Sequence, residues 1–302
     1  HADLRVGDAG TGLNADAIPA DLHQCVGLIC LLTDRIDARL IEALPALEFV
    51  SSISVGVDHV DVAALTARGI PLGHTPGVLV DATADTAFAL LLAAARRVAE
   101  GDRYIRAGNW LPDHPWSPDF FLGKDVSGAT LGIVGLGAIG QAVAQRAAGF
   151  GMRVVSWNRS PRQVPGVETV SLDELLLLSD FVSVHVALNE ETRGLINADR
   201  IGLMKPGAVL INTARGGIVD EGALAAALDS KHLYAAGLDV YEREPLAHDS
   251  PLLQHSRVVL APHIGSATTR TRAAMVDLAV KNAAAASLGQ KMPHCFNPEV
   301  YQ

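Results

Sequence analysis

The apolar run Thr130-Leu-Gly-Ile-Val134 continues directly into Gly135-Leu-Gly137-Ala-Ile-Gly140, and a helical pattern follows it over residues 139–150. The glycines fit G-x-G-x-x-G, in the strand-before, helix-after context that this motif requires. The first glycine permits a tight turn, the second lets the backbone approach a pyrophosphate, and the third lets helix and strand pack closely. The sequence therefore predicts a dinucleotide site here, formed by Gly135, Leu136, Gly137, Ala138, Ile139 and Gly140.

Short apolar runs alternate with helical patterns along most of the chain. A first series of predicted strands covers residues 4–8, 26–32, 47–55 and 70–72, and a helical pattern over 80–108 follows Pro76-Gly77. A second series covers 130–134, 153–157, 181–186, 208–211, 235–238 and 258–260, with helices at 139–150, 172–178 and 266–287. This alternation predicts parallel sheets and a two-domain α/β fold. Residues 110–125 are rich in proline, aspartate and aromatics, which predicts an exposed excursion.

Composition limits the classes of function. The 302 residues carry a net charge of -9, whereas a nucleic-acid-binding protein normally has a basic face. The longest apolar run, residues 87–95, is too short to cross a bilayer. Cys25, Cys30 and Cys295 do not have metal-ligand spacing, so we expect no metal site. The unpaired cysteines favour a reduced, cytoplasmic setting. From the net charge and the short apolar runs we expect neither a nucleic-acid nor a membrane partner.

The end of the second strand in the second series determines which nicotinamide cofactor is expected. In dinucleotide sites an Asp or Glu there, about 20 residues after the glycines, binds the ribose 2'-hydroxyl of NAD. Here the position is Asn158, followed by Arg159, Ser160 and Arg162. No carboxylate would repel a 2'-phosphate, and Arg159 can pair with one through charge-assisted hydrogen bonds. The sequence predicts NADP(H) in preference to NAD(H), although arginines on a solvated loop, Arg162 above all, would give the same pattern.

Three polar segments follow predicted strands of the second series, at residues 212–217, 239–245 and 262–266. Ligands of open parallel sheets bind outside the carboxyl ends of the strands, so one side chain from each segment can meet there. Arg215 offers a planar fork of donors for a carboxylate, and His263 titrates in the useful range for a proton donor. A partner carboxylate, Glu244, would orient the histidine and favour its charged form. Any one of them alone would be read as a surface charge, but together they predict a catalytic set for hydride transfer to a 2-keto acid.

With these motifs the sequence resembles the D-isomer-specific 2-hydroxyacid dehydrogenase family, and within it the glyoxylate/hydroxypyruvate reductases. The resemblance covers almost the whole chain and is carried by Ser54-Val-Gly56-Val-Asp58, the glycine motif, and residues 212–217, 237–240, 244–245 and 262–268. It implies a flavodoxin-like substrate domain, discontinuous in sequence, of residues 1–77 and 266–302. It implies a Rossmann cofactor domain of residues 78–265. Members are usually homodimers built through the cofactor domains, so a homodimer is expected.

The resemblance also implies roles for individual residues. The predicted catalytic set keeps the roles given above, with Arg215 and His263 also contacting the substrate. The backbone of Val55 and Gly56 would hold the substrate carboxylate, with Ser266 close by. Beyond the glycine motif, the residues implied in cofactor binding are Thr83 at the phosphates, Asn158, Arg159 and Ser160 at the ribose, Thr213 and Asp239 at the nicotinamide end, and Gly265.

The expected reaction is NADPH-dependent reduction of glyoxylate or hydroxypyruvate to glycolate or D-glycerate. Two rivals stay open: another D-2-hydroxyacid or phosphite-type dehydrogenase on the same scaffold, and a nucleotide-sensing, corepressor-like binding protein. Two features depart from the family. Its members usually have one more strand and helix before the segment matching residues 4–8, which predicts an unpaired sheet edge. Related glyoxylate reductases lend a tryptophan to the neighbouring subunit's pocket, and here that loop, 110–121, is longer and offers Trp116 or Phe120.

Overall fold

The computed structural model describes residues 4–7, 12–13, 15–16, 18, 20–113, 115–160 and 162–302. The chain divides into two compact units, the first formed by His1–Leu79 with Thr268–Gln302 and the second by Val80–Ala267. The junctions expected from the sequence, after residues 77 and 265, each lie two residues before these divisions, which follow residues 79 and 267.

The first unit contains a three-stranded parallel sheet in the order β1-β2-β3. Its strands are β1 (Gly27–Cys30), β2 (Phe49–Ser52) and β3 (Leu72–Gly73), joined by helices α1 (Ala38–Ala43) and α2 (Val62–Ala67). Both helices begin where an aspartate side chain, Asp37 or Asp61, accepts a hydrogen bond from a first-turn N–H group. Apolar side chains of the strands and helices form one core, including Cys30, Leu40, Val50 and Leu65.

The strand predicted at residues 4–8 is wrong for the part that the structure describes. Residues 4–7 form no strand, and Asp8 lies outside the described residues. Leu4 and Val6 are largely exposed, and no described strand runs beside them. An extended segment without a neighbouring strand leaves its backbone groups to water, so the apolar alternation alone does not form a strand. Among the described strands β1 is at the edge of its sheet, flanked by exposed Val26 and Leu31.

The second unit contains seven parallel strands in the order β10-β9-β8-β7-β4-β5-β6. Its elements are α3 (Val80–Ala95), α4 (Val98–Arg106), β4 (Thr130–Val134), α5 (Ala138–Ala148), β5 (Arg153–Trp157), β6 (Val167–Thr169), α6 (Leu172–Leu178), β7 (Phe181–Val184), α7 (Ala198–Leu203), β8 (Ala208–Asn212), α8 (Glu221–Asp229), β9 (Leu233–Leu238) and β10 (Val258–Leu260). The strand order reverses between β4 and β7, which is the switch point of a doubly wound Rossmann sheet. α9 (Thr269–Ser287) returns the chain to the first unit and packs against β1 and β2.

Helices cover both faces of the seven-stranded sheet. Along β8, Val209 and Ile211 pack in the core of α3 and α5, while Ala208 and Leu210 pack in the core of α6, α7 and α8. This explains why these strands are continuous apolar runs rather than alternating ones. Gly237 on β9 allows α3 to approach, because a Cβ atom there would lie 2.9 Å from Leu90 Cβ.

The predicted helix over 80–108 is two helices in the structure. The break lies at Arg97, which has a left-handed φ of 56°. Its guanidinium pairs with Glu100 at 2.8 Å and lies 4.4 Å from the ring centroid of Phe121. These contacts hold a conformation that the local sequence does not favour. The short elements β6, α7 and α8 were not predicted either.

The segment after α4 is the exposed excursion that its composition predicts. The described residues of 109–125 contain neither helix nor strand. Trp110 and Trp116 are exposed over more than half of their surface, at 55% and 74%. Among the described residues, no helix combines the length and apolar character needed to span a bilayer.

Candidate active site

Arg215 lies in the loop after β8, and the shape of this loop is set by its neighbours. Asn212, almost fully buried, accepts a hydrogen bond from the Ala214 N–H at 3.0 Å and donates one to the Arg215 carbonyl at 2.9 Å. Gly216 then passes so close to the loop after β9 that a Cβ atom there would lie 1.7 Å from the Tyr241 carbonyl carbon. A glycine must therefore follow Arg215 for the two loops to pack together.

Asp239, the residue after β9, connects this strand end to the loop after β10. Its carboxylate accepts hydrogen bonds from the N–H groups of Ile264 and Gly265, both at 2.7 Å, and its carbonyl accepts one from the His263 N–H at 2.9 Å. Burial raises the pKa of Asp239, and the two N–H groups and nearby His263 offset part of that rise. Because the buried carboxylate is satisfied by backbone donors, Asp239 anchors residues 263–265.

His263 and Glu244 form a hydrogen-bonded pair. The distance between His263 Nδ1 and Glu244 Oε2 is 2.7 Å, and Glu244 Oε1 accepts a hydrogen bond from the Tyr241 N–H at 3.1 Å. Partial burial raises the pKa of Glu244, but the hydrogen bond and charge of His263, the Tyr241 N–H and the charge of Arg215 outweigh it, so the net pKa is lowered. The ionised carboxylate thus holds the proton on Nδ1. Nε2 has no hydrogen-bond partner among the described residues and is left to exchange a proton.

The glycine motif forms the turn between β4 and α5. Gly135 has φ 103°, and a Cβ atom there would lie 2.7 Å from the His185 carbonyl carbon. A Cβ atom on Gly140 would lie 2.2 Å from the Gly135 carbonyl oxygen, so neither position accepts a larger residue. The space beside Gly137 is open, and α5 begins at Ala138 without a side-chain cap. Bare backbone beside an uncapped helix N-terminus fits a pyrophosphate, because the first-turn N–H groups have no helical partner.

Asn158 connects this turn to the loop after β5. Its Oδ1 accepts a hydrogen bond from the Leu136 N–H at 3.2 Å, and its Nδ2 donates to the Ser160 carbonyl at 2.6 Å. The structure therefore brings Asn158 next to the glycine turn and Ser160 next to Asn158, and the strand end carries an amide rather than a carboxylate.

Arg159, the predicted phosphate-binding arginine, and Arg162 nearby differ in their surroundings. Arg159 is largely exposed and pairs with Glu191 at 2.7 Å. Arg162 donates to the Leu136 carbonyl at 3.4 Å and so reaches the glycine turn. The sequence had favoured Arg159, and it gave no sign of the contact with Glu191, which lies 32 positions further along the chain.

Two threonines beside these strand ends are buried. Thr83 on α3 lies against Gly265, where a Cβ atom would be 3.4 Å from the Thr83 methyl carbon. The Thr213 Oγ1 atom is buried and has no hydrogen-bond partner among the described residues. Buried hydroxyls normally have a partner, so the unsatisfied Thr213 hydroxyl is a candidate to bind a polar group of the cofactor. Both positions fit the nicotinamide cofactor predicted from the sequence.

The predicted carboxylate-binding residues Val55 and Gly56 lie in the first unit, in the loop after β2. The Val55 carbonyl accepts a hydrogen bond from His74 Nδ1 at 3.2 Å, and the Gly56 carbonyl accepts one from Ser54 Oγ at 2.7 Å. No described residue accepts a hydrogen bond from the N–H groups of Val55 or Gly56, so these donors are available to an anion. Ser266, partly buried, belongs to the second unit.

Sequence reasoning assigned no role to Asn212, Gly216 or Tyr241, although all three shape the loops that carry the predicted catalytic set. The signal for Asn212 was available, because an Asn side chain often bonds the backbone two residues on. The close approach of Gly216 to Tyr241 joins segments distant in sequence and left no local signal.

Residues 88–265 match the sequence profile described as the D-isomer specific 2-hydroxyacid dehydrogenase NAD binding domain. A glyoxylate reductase of Korarchaeum cryptofilum is 50% identical over 283 residues, covering 92% of this chain and 85% of the relative. A glyoxylate reductase of Thermococcus kodakarensis is 48% identical, covering 99% of this chain and 91% of the relative. Among solved structures, an NADPH-dependent glyoxylate/hydroxypyruvate reductase of Sinorhizobium meliloti, in complex with NADP and malonate, has a TM-score of 0.86 and 36% identity, covering 93% of this chain and 87% of that one.

Proposed function

This chain belongs to the D-isomer-specific 2-hydroxyacid dehydrogenase family and is an oxidoreductase that uses a nicotinamide cofactor, and we propose that it reduces glyoxylate or hydroxypyruvate with NADPH. The products would be glycolate or D-glycerate. The observation that carries the proposal is the 2.7 Å hydrogen bond between His263 Nδ1 and ionised Glu244, in the same unit as Arg215 and the glycine turn. The names of the relatives support the substrate class.

In this proposal each catalytic side chain has one task. The Arg215 guanidinium binds the substrate and polarises its C2 carbonyl, because its fork of donors suits both oxygen atoms. His263 Nε2 donates a proton to the carbonyl oxygen, and the ionised Glu244 holds the ring and stabilises the charge that the ring carries before transfer. The bound cofactor supplies the hydride that C2 receives. Asp239 keeps His263 in place through the three backbone hydrogen bonds described above.

The remaining predicted contacts are assigned by the same proposal. The Val55 and Gly56 N–H groups bind the substrate carboxylate, with Ser266 as a further polar contact. The first unit is accordingly the substrate domain and the second the cofactor domain. The cofactor would be held by the glycine turn and by Thr83, Asn158, Arg159, Ser160, Thr213, Asp239 and Gly265.

NADP(H) is preferred over NAD(H) in this proposal. Asn158 stands where a carboxylate would otherwise repel a 2'-phosphate, and its side chain is already engaged with Leu136 and Ser160. Arg159 would exchange its exposed ion pair with Glu191 for the phosphate. Such an exchange is inexpensive, because exposed ion pairs stabilise a protein by roughly 0–1 kcal/mol.

We also assign the exposed excursion and α4 to a homodimer interface. Six large apolar side chains in this region are more than half exposed. They are Val98, Ile105, Trp110, Leu111, Trp116 and Leu122. Exposed apolar patches often mark protein interaction sites, so we propose a second copy of this chain as the partner that covers these side chains. Sedimentation of the protein as a monomer at micromolar concentration would contradict this assignment.

The function is tested by steady-state reduction of glyoxylate and hydroxypyruvate with NADPH and with NADH, in wild type and two matched histidine variants. His263→Asn should lower kcat by about 10²–10⁴-fold, the usual contribution of a general acid, with the NADPH dissociation constant kept. His255→Asn is the control, because His255 precedes β10, contacts Asp229 at 3.7 Å and lies at the opposite end of the strand from His263.

The outcomes separate the rivals. Turnover of only other 2-keto acids, or of phosphite, would move the enzyme to a different member of the same scaffold. NADPH binding without turnover of any substrate would favour the corepressor-like protein. Near-normal turnover by His263→Asn would show that another group is the acid.

A further inference from the structure

The loop after β2 has three successive carbonyl groups that the protein itself binds. The Ser54 carbonyl accepts a hydrogen bond from the Thr75 N–H at 2.8 Å, the Val55 carbonyl from His74 Nδ1 at 3.2 Å, and the Gly56 carbonyl from Ser54 Oγ at 2.7 Å. These peptides are trans, so each N–H points away from its own carbonyl. The N–H groups of the same three peptides belong to Val55, Gly56 and Val57. None of these N–H groups has an acceptor among the described residues.

Three side chains behind this loop form a chain of hydrogen bonds with a fixed direction. Ser54 gives its only hydroxyl proton to the Gly56 carbonyl, so Ser52 must be the donor in the 2.7 Å contact between the two hydroxyls. Ser52 has then used its own proton and must accept in its 3.0 Å contact with His59 Nε2. His59 therefore carries a proton at Nε2. Both serines are buried, so water does not complete their hydrogen bonds instead.

One neighbour could compete for the Ser52 proton, and its chemistry excludes it. The thiol of Cys30 lies beside the Ser52 hydroxyl, and burial raises the pKa of that thiol to about 12. Cys30 is then a neutral thiol and only a weak acceptor, so the proton of Ser52 stays directed at Ser54.

We propose that His59, Ser52 and Ser54 are positioning residues that hold the Gly56–Val57 peptide, so that the Val57 N–H joins those of Val55 and Gly56 in binding a substrate carboxylate. The proposal rests on the proposed function, in which this loop binds the carboxylate of a 2-keto acid. Without the Ser54 hydroxyl the Gly56 carbonyl loses its partner. Without His59 the Ser52 oxygen loses its donor, so Ser54 can turn its proton from Gly56 to Ser52. In either case the peptide can rotate its N–H away from the anion. The loss of one hydrogen bond to a charged group should weaken carboxylate binding by about tenfold, which corresponds to about 1.4 kcal/mol.

The first test compares Ser54→Ala with Ser51→Ala. Ser51 is an equally buried serine on β2, but its hydroxyl donates to the Ala279 carbonyl at 2.9 Å and not to the loop. Three quantities are measured: the KM for glyoxylate at saturating NADPH, the inhibition constant of oxamate, and the NADPH dissociation constant from nucleotide fluorescence. Ser54→Ala should raise the first two about tenfold and leave the third unchanged, whereas Ser51→Ala should leave all three unchanged.

The second test changes His59, the first donor in this series of hydrogen bonds, and does not require a serine variant to fold. His59→Leu removes the donor, whereas His59→Gln keeps an N–H donor without the ring. His59→Leu should raise the KM for glyoxylate and the inhibition constant of oxamate, and His59→Gln should restore most of the difference. Equal constants in wild type, Ser54→Ala and His59→Leu would overturn the proposal, as would equal effects of Ser54→Ala and Ser51→Ala. Failure of the wild type to turn over any 2-keto acid would instead overturn the proposed function.

Discussion

His185, the first residue after β7, makes the stability of the second unit depend on pH. The backbone of His185 packs closely against the glycine turn, because a Cβ atom on Gly135 would lie 2.7 Å from the His185 carbonyl carbon. The Nε2 atom of His185 contacts the Ser183 hydroxyl at 2.8 Å. Burial lowers the pKa of His185 to about 4. In an unfolded chain a histidine has a pKa of about 6.5, so the unfolded state binds the proton more tightly. The free energy of unfolding must therefore fall as the pH falls from about 6.5 towards 4.

The size of this effect follows from the two pKa values. Each tenfold difference in proton affinity is worth about 1.4 kcal/mol, so the interval between a pKa of about 6.5 and one of about 4 corresponds to at most about 3.4 kcal/mol. Most of this contribution to the free energy of unfolding, about 2.5 kcal/mol, is lost between pH 7 and pH 4.5. A loss of this size is a large fraction of the stability of an ordinary domain.

Urea unfolding followed by tryptophan fluorescence measures the effect in the right unit, because all three tryptophans of the chain, Trp110, Trp116 and Trp157, lie in the second unit. His185→Asn keeps a polar partner for Ser183 but does not titrate. Its free energy of unfolding should fall by about 2.5 kcal/mol less than that of the wild type between pH 7 and pH 4.5. His248→Asn, at an exposed position, is the control and should behave as wild type. Equal losses in wild type and His185→Asn would refute the reasoning.

Three further predictions concern the predicted site. Gly216→Ala places a methyl group 1.7 Å from the Tyr241 carbonyl carbon. Calorimetry should show that the free energy of unfolding falls by about 1–3 kcal/mol, and kcat should also fall. An unchanged kcat would contradict the packing argument. Glu244→Gln removes a carboxylate that stays ionised to lower pH than an ordinary glutamate and that favours the protonated form of His263. The rate of reduction should therefore decline at lower pH in the variant than in wild type. An unchanged pH–rate profile would contradict this role of Glu244. Asn158→Asp places a negative charge at the predicted ribose-binding position and should weaken NADPH binding relative to NADH by at least about tenfold in titration calorimetry. Equal weakening of NADPH and NADH binding would refute the proposed NADP(H) preference.

The parts of the site that the sequence predicts are those with local physical requirements. The glycine turn needs three particular glycines within six positions, directly between a strand and a helix, and the structure has them there. The predicted catalytic residues each follow a buried strand, so a parallel sheet brings their loops to one edge. Strand positions were predicted for the same reason, since fully buried parallel strands are continuous apolar runs.

The parts that were not predicted depend on contacts between distant segments. The helix break at Arg97 is held by the ring of Phe121, which belongs to the exposed excursion. Residues 4–7 have the apolar alternation of a strand, but a strand forms only where a neighbour can pair with it. The series of hydrogen bonds from His59 through Ser52 and Ser54 to the Gly56 carbonyl depends on the direction in which each hydroxyl donates, and that direction is visible only in the folded loop.

The conformation of His263 shows why the predicted site needs more than its three titratable residues. A φ of 53° is uncommon for any residue other than glycine and costs free energy that the surrounding structure must offset. Asp239 supplies the offset, because its carboxylate binds the two N–H groups that follow His263 and its carbonyl binds the His263 N–H itself. The left-handed turn is in this way held from a buried, rigid strand end. A ring held in this way keeps its Nδ1 on Glu244, while its Nε2 has no partner among the residues that the structure describes, and proton transfer to a substrate oxygen requires this arrangement.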